Sequence, residues 1–370
     1  MSQESSRIAI YLHSIYGSGV DRIMVNLSHS FIENGLKVDL VLDSTGLIHL
    51  WDWSPQMRIV NLNSGRNPVK RLSNLMRYLR REKPTSIISN GHFTNEISIL
   101  AKRLSGVSTQ VIVCEQNNLF LISKHSPGGI QGWAPTTAKM LYPWADRVVV
   151  PSRALAKELA TLGLPSKHMQ VIYNPVVRPE IWEKAKEPVD HPWFAPGEPP
   201  VILAVGRLET QKDYPTMIRA FAQVRQVKPV RLVIFGQGTQ RSEIEALVHE
   251  LELEKDVAFL GFVKNPYAYV AKSAMLALSS AWEALPTFVI ETMALEIPVV
   301  STNCPTGPAE ILDNGKYGDI VPVGDYKAMA AAILNVLSGE SKAVDPAWIE
   351  QFTSEDTTKK YLEVMGLLAK

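Results

Sequence analysis

Two glutamates eight positions apart, Glu283 and Glu291, flank a loop that opens a helix. Between them Ala284-Leu285-Pro286-Thr287 carries the start signals, Pro286 and Thr287. The helix is expected over Phe288–Leu295, with Glu291 in its early turns. A helix N-terminus turns free N–H groups and a partial positive charge outward, which suits a phosphate. A carboxylate can accept hydrogen bonds from two hydroxyls of a sugar or ribose. Upstream, Gly206-Arg207-Leu208 puts an arginine at a strand end, and Lys212 follows five positions later. Two cations beside a helix start make a diphosphate site. Gly236-Gln237-Gly238, after another strand, leaves room for backbone beside a ligand. Each part has a plainer alternative: exposed acids at helix ends, surface cations at helix starts, an ordinary strand-to-helix turn. In company they describe a site for a nucleotide-sugar.

The elements that must position these residues alternate strand and helix, the pattern of a doubly wound α/β fold. Ile8–Leu12 is a short buried strand, Gly17-Ser18-Gly19 a glycine loop, and Val20–Glu33 a helix ending at Gly35. Gly17 and Gly19 fit either backbone approach to a ligand or a tight turn, and no dinucleotide fingerprint stands there. Strands are expected at Val38–Leu42, Arg58–Val60, Ser86–Ser89 and Gln110–Cys114, with Arg147–Val150 the last strand of this half, which Gln170–Ile172 and Tyr173-Asn174-Pro175 close. Trp51 and Trp53 fall in an irregular loop. Pro68–Arg81 is a basic helix (Lys70, Arg71, Arg77, Arg80, Arg81) with Leu72, Leu75, Met76 and Leu79 on its buried face. Asn90-Gly91-His92 and Glu115-Gln116-Asn117-Asn118 are polar loops after strands, where open α/β sheets bind ligands. A helix is expected near Asn95–Leu104, an irregular stretch over 119–135 with Pro127-Gly128-Gly129, and a helix to Leu162 capped by Ser152.

Residues 175–200 hold seven of the 24 prolines, a linker composition. A second series then begins, with strands at Val201–Val205, Val230–Phe235, Val257–Leu260, Met275–Leu278 and Val299–Ser301. Its helices are expected near Tyr214–Val224, capped by Asp213, then Thr239–Leu251, Tyr326–Leu337 and Ser354–Leu368. Two α/β halves around a proline-rich linker imply a cleft between them.

At 370 residues the chain has length for two cores, and 46% hydrophobic with 20% charged residues is an ordinary globular composition. The net charge of +1 gives no global field for nucleic acid. The charge is unevenly spread: residues 1–180 hold 20 Lys and Arg against 12 Asp and Glu, and the remainder holds 18 against 25. The basic half fits an anionic partner or membrane, or simply a solvated surface. Cys114 and Cys304 belong to no metal or redox pattern and read as core thiols in a reducing cytosol. The N-terminus lacks the apolar run of a signal peptide, and no stretch is apolar enough to span a membrane.

The combined motifs are specific. They are Val205-Gly206-Arg207-Leu208 with Gln211-Lys212-Asp213, then Phe235-Gly236-Gln237-Gly238, then Ser280-Ala281-Trp282-Glu283 with Glu291-Thr292-Met293-Ala294. Pro298-Val299-Val300-Ser301-Thr302 and Cys304-Pro305-Thr306-Gly307-Pro308-Ala309-Glu310-Ile311-Leu312 follow. The set resembles a retaining family-4 glycosyltransferase of the GT-B fold, echoed in the first half by Gly19-Val20-Asp21-Arg22 and Val171-Ile172-Tyr173-Asn174-Pro175. The resemblance implies two Rossmann-like doubly wound domains facing across a cleft: an acceptor-binding domain over 1–178, a donor-binding domain over 179–351, and a C-terminal helix, about 352–370, packing back on the first. It implies that Arg207 and Lys212 hold the donor diphosphate, Glu291 the ribose hydroxyls and Glu283 the donor sugar. Backbone around Leu285, Pro286 and Thr287 would meet sugar and phosphate, Gly206, Gly236 and Gly238 would line the donor, and Gly19 would approach from the first domain. The resemblance implies that Arg207, Lys212 and Glu283 carry the catalytic role, with no metal and no cofactor beyond the donor itself, a UDP-sugar favoured over a GDP-sugar.

Three positions depart from the family. Gln116 stands where a histidine is usual, and cannot act as a general base at neutral pH. His92, Glu115 and Gln116 remain as acceptor-side candidates, with a structural His92 as the alternative. Asp21 replaces a commoner glutamate, and Glu296 replaces a glycine, which points to a different local turn. The expected reaction moves a hexose or N-acetylhexosamine to a saccharide or lipid-linked acceptor in polysaccharide biosynthesis. It would take place in the cytoplasm or peripherally on an anionic membrane, with no nucleic acid involved. A GT-B epimerase or phosphorylase, or a non-catalytic glycan-binding scaffold, are the alternatives.

Overall fold

The computed structural model describes residues 6–16, 18–50, 52–125, 130–164 and 168–368. Gly17, Trp51 and Pro127-Gly128-Gly129 lie outside the described residues. The chain forms two compact units, one running to Val176 and resuming at Phe352, the other spanning Val177–Gln351.

The first unit is built on seven parallel strands: β1 Arg7–Leu12, β2 Lys37–Leu42, β3 Arg58–Asn61, β4 Ser86–Asn90, β5 Gln110–Cys114, β6 Arg147–Val150 and β7 Met169–Val171. Their order in the sheet is β3-β2-β1-β4-β5-β6-β7. The inner strands are buried along their length because helices cover both faces, as parallel sheets require. One face packs Leu75, Tyr78 and Leu79 of the helix Pro68–Glu82 with Ile97 and Ile99 of the helix His92–Ser105. The other face packs Met24, Leu27 and Phe31 of the helix Gly19–Glu33. There the C-terminal helix Ser354–Val364 brings Tyr361 and Leu362 against Phe31, with the Phe31 and Tyr361 rings edge-on at 6.1 Å.

The second unit repeats the plan with β8 Val201–Val205, β9 Arg231–Phe235, β10 Val257–Gly261, β11 Met275–Leu278, β12 Val299–Thr302 and β13 Asp319–Val321. The order is β10-β9-β8-β11-β12-β13, again all parallel. In both sheets the chain starts at an inner strand, runs to one edge, and then returns to build the other side. The reversal falls between β1 and β4 in the first sheet and between β8 and β11 in the second. At such a switch point the loops leaving the two strands diverge, opening a crevice at their carboxyl ends.

Several expectations are corrected. Residues 119–125 are helical rather than irregular, because Asn118 caps them by accepting from the Leu121 N–H at 2.7 Å, and a second helix follows at Ala134–Leu141. The proline-rich linker contains a helix, Glu180–Ala185, and a 3₁₀ turn at Pro192–Phe194. The strands β7 and β13 and the helix Pro266–Val270 have no counterpart in the sequence reading, being too short to show a period. On the basic helix, Leu72 and Met76 are only half-buried, whereas Arg71 is buried and turns inward. Glu296 does not change the turn after its helix: it takes φ +59°, the left-handed conformation that glycine favours, and its N–H reaches Met293 O at 2.9 Å.

Candidate active site

The switch point of the second sheet gathers most of the residues singled out by sequence. From β8 the chain turns through Gly206, Arg207 and Leu208 into a 3₁₀ turn, Thr210–Lys212, and then the helix Tyr214–Val227, capped by Asp213. From β11 it passes through Ser279, Ser280 and Glu283 into the helix Thr287–Ala294, with Pro286 at its N-cap. The turns after β8 and β9 interlock. The Gly206 N–H donates to Phe235 O at 2.9 Å, and the Leu208 N–H to Gln237 O at 3.0 Å. A side chain at Gly236 would put its Cβ 1.9 Å from Gly206 O, and one at Gly238 would sit 2.2 Å from Leu208 O. Those two glycines are therefore required by backbone packing.

Lys212 and Glu283, 71 positions apart in sequence, meet at this point. The Lys212 ammonium donates to Glu283 Oε1, which also accepts from Ser280 Oγ at 2.6 Å. Glu283 is only 7% exposed. Its backbone carbonyl accepts from Thr306 Oγ1, and Ser280 O accepts from Thr302 Oγ1 at 2.6 Å. Ser279 Oγ donates to Lys212 O at 2.7 Å, and the Ala281 N–H to Gln211 O at 2.8 Å. The two loops are thus stitched together on backbone and side chain alike. The resulting cation is held against a carboxylate in a partly dry setting, where charge–charge interactions are stronger than in water.

Glu291 is 1% exposed, not a solvated helix-end acid, and its Oε1 accepts from Tyr267 OH at 2.8 Å. Arg207 is exposed, and its guanidinium lies 3.5 Å from Gln211 Oε1; Gln211 Nε2 in turn donates to Trp282 O at 2.9 Å. Leu285 is buried at the start of the same helix, and Pro286 Cδ lies 2.5 Å from where a Gly307 Cβ would be. Tyr214 donates its hydroxyl to Gly206 O at 3.0 Å. Burial, and then the nearby Glu283 charge, push that hydroxyl's pKa upward, so it stays a donor. Burial and the same carboxylate push the Cys304 thiol up to about 12 and keep it unreactive. Sequence reasoning had no role for Tyr267 or Tyr214. The first lies in a segment marked only by the helix-start pair Asn265-Pro266.

The remaining candidates belong to the first unit. Gly19 opens the helix Gly19–Glu33, and nothing lies within 4 Å of where its Cβ would be. Asp21 makes a capping box there: its Oδ2 accepts the Ser18 N–H at 2.7 Å and the Tyr16 N–H at 3.0 Å. His92 opens its own helix, with Nε2 3.0 Å from both Thr137 Oγ1 and Glu96 Oε1, and Nδ1 4.0 Å from Glu115 Oε2. Glu115 is fully buried and accepts from Tyr142 OH at 2.6 Å. Burial raises its pKa, and the His92 charge opposes that rise. Gln116 and Asn174 exchange amide hydrogen bonds, both at 3.0 Å, so Gln116 is committed to its partner. His92, Glu115 and Tyr142 form one closed network beside it.

Comparison with known proteins follows the same division. The family model described as Glycosyltransferase Family 4 matches residues 17–178, and the one described as Glycosyl transferases group 1 matches residues 186–349. The chain is 25% identical over 346 residues to a Campylobacter jejuni protein, covering 90% of this chain and 91% of that one. That protein is the N-acetylgalactosamine-N,N'-diacetylbacillosaminyl-diphospho-undecaprenol 4-alpha-N-acetylgalactosaminyltransferase. AmsD of Erwinia amylovora, an amylovoran biosynthesis glycosyltransferase, is 26% identical over 331 residues, 87% of this chain and 86% of its own. Among solved structures, HepE of Anabaena in complex with UDP-glucose superposes with a TM-score of 0.77 at 17% identity, over 98% of this chain and 100% of its own.

Proposed function

The chain is a glycosyltransferase of the GT-B fold, and from that premise we propose that it is a retaining, metal-independent enzyme. The donor would be a UDP-activated hexose or N-acetylhexosamine, and the acceptor a saccharide or lipid-linked glycan of a surface polysaccharide. The reading is supported by the Campylobacter relative, whose name joins an N-acetylgalactosaminyl transfer to a diphospho-undecaprenol acceptor, and by the HepE structure with UDP-glucose.

One observation carries the catalytic part: the Lys212–Glu283 pair at the switch point of the second sheet, within the region matched by the group 1 model. When a nucleotide-sugar binds, Lys212 and Arg207 neutralise the diphosphate, and the N–H groups at the start of Thr287–Ala294 add to that charge. Glu291, held by Tyr267, takes the ribose hydroxyls. Glu283 orients Lys212 and accepts from a sugar hydroxyl. As the glycosidic bond to the diphosphate breaks, negative charge grows on the leaving oxygen, where Lys212 and Arg207 act most strongly. That oxygen takes the acceptor's proton, and the acceptor attacks from the face the diphosphate leaves. No side-chain nucleophile enters this scheme, so Glu283 stays a binding group.

The Lys212→Ala variant tests it. Release of UDP from UDP-sugars should fall by about 10²–10³-fold, with circular dichroism unchanged. Equal release from wild type and variant would overturn the enzyme reading. An epimerised sugar nucleotide formed without acceptor would select an epimerase instead.

A further inference from the structure

The first sheet also reverses its order, between β1 and β4, so the carboxyl ends of those strands form the crevice where an open sheet takes a ligand. The loop leaving β1 carries His13 and Tyr16, and neither has a part in the scheme above. Beneath that loop lies a buried charged cluster centred on Asp43, the residue after β2, which is fully buried. Its Oδ2 accepts from Tyr11 OH at 2.8 Å and from Arg71 Nε at 2.6 Å, and lies 3.2 Å from His13 Nδ1. Arg71 leans also on Thr94 Oγ1 at 3.3 Å.

Asp43 therefore acts as an acceptor towards three groups. Facing it, the His13 ring directs an Nδ1 hydrogen at the carboxylate, and in the neutral ring that tautomer puts the lone pair on Nε2. The His13 side chain is 22% exposed, so the ring bridges the buried cluster and the surface. Tyr16 is 60% exposed, and its ring lies 6.5 Å from that of His13 at an interplanar angle of 40°.

The loop is held from both sides. The Ser44 N–H donates to His13 O at 3.1 Å and the Leu47 N–H to Ile15 O at 2.9 Å. Gly46 approaches so closely that a Cβ there would lie 2.3 Å from Ile15 O. On the other side Asp21 takes the Tyr16 N–H. With the backbone of His13, Ile15 and Tyr16 held in this way, an exposed aromatic beside a ring nitrogen at the surface is organised before any ligand arrives.

We infer that this loop is a saccharide subsite: the Tyr16 ring covers the C–H face of a sugar, and His13 Nε2 accepts a hydrogen bond from one of its hydroxyls. The inference rests on the reading of the first unit as the acceptor-binding one. It makes His13 and Tyr16 acceptor-positioning residues, with Asp43 and Arg71 acting through His13.

The test is imidazole nitrogen NMR on the full chain labelled at histidine, titrated with the methyl glycosides of glucose, galactose and N-acetylglucosamine. The His13→Gln variant assigns the resonance. The expected result is a His13 ring protonated on Nδ1 whose Nε2 signal moves with at least one glycoside. Tyr16→Ala should weaken that binding by about tenfold or more. Stabilisation by UDP, read by thermal shift, should be the same in wild type and Tyr16→Ala. No movement with any glycoside, unchanged affinity in Tyr16→Ala, or a proton on Nε2 would each overturn the inference. Failure of UDP to stabilise the wild type would count against the donor reading alone.

Discussion

Glu158 has its carboxyl half-buried against the start of the helix Leu119–His125, where Asn118 donates to it. Burial pushes it from an ordinary value of 4.5 up to about 7; the Phe120 backbone opposes the rise and the Glu115 charge adds to it. Between those two values the native carboxyl keeps a proton that the unfolded chain has already lost. Its contribution to stability is therefore full below about pH 4.5 and is lost as pH rises through about 7. Glu158→Gln keeps the size and the acceptor but cannot ionise. Its melting temperature should match wild type in acid and exceed it above pH 7. A difference that does not change with pH would refute the assignment. At this scale the sequence was only half legible. Lys212, Glu283 and Glu291 stood out because local helix-start signals surround them. Arg71 read as one more surface cation, because its partner Asp43 lies 28 positions away and no periodicity links them.

The interlocked turns after β8 and β9 have a sharper requirement than a glycine-rich loop usually implies. Gly236 has φ +143° and almost touches Gly206 O, so even alanine would force the two turns apart. Gly236→Ala should cost about 2–3 kcal/mol in urea unfolding and abolish stabilisation by UDP, since the turn carrying Arg207 and Lys212 would shift. A variant as stable as wild type would show that the turns yield. The glycines were visible in the sequence, where a plain turn and a ligand approach were equally good accounts. The backbone contact that decides between them is between two loops 30 positions apart. Strands were the most legible elements, since unbroken apolar runs such as Val201–Val205 have one natural place in a parallel sheet. The helix Leu119–His125 was hidden because seven residues are too few to show a clear period.

At the level of the molecule, the charge is divided between the halves, with 20 Lys and Arg against 12 Asp and Glu in residues 1–180. Lys70, Arg77, Arg80 and Arg81 are exposed on the helix Pro68–Glu82, and Met76 with three of these arginines and Ser73 lines a shallow depression. Trp133 and Met140 are 67% and 65% exposed. Among the described residues no helix is long and apolar enough to cross a membrane. We propose that the basic face of the helix Pro68–Glu82 rests on anionic lipid, where basic side chains add about 1 kcal/mol each. Cosedimentation with phosphatidylglycerol vesicles should be strong at low salt and fade as the Debye length shortens. No binding at low salt would dismiss it. The doubly wound class and the specific motif set were readable from sequence because both are local patterns. The strand orders and their reversals were not, since they depend on which strands pair. One consequence of the fold concerns time. The first unit is completed by residues from Phe352 onward, and Phe352, Tyr361, Leu362 and Met365 are all buried in it. A ribosome adding about 5–20 residues per second must make the whole of Val177–Gln351 before those side chains exist. The half of the enzyme that is born first is thus the half that is completed last.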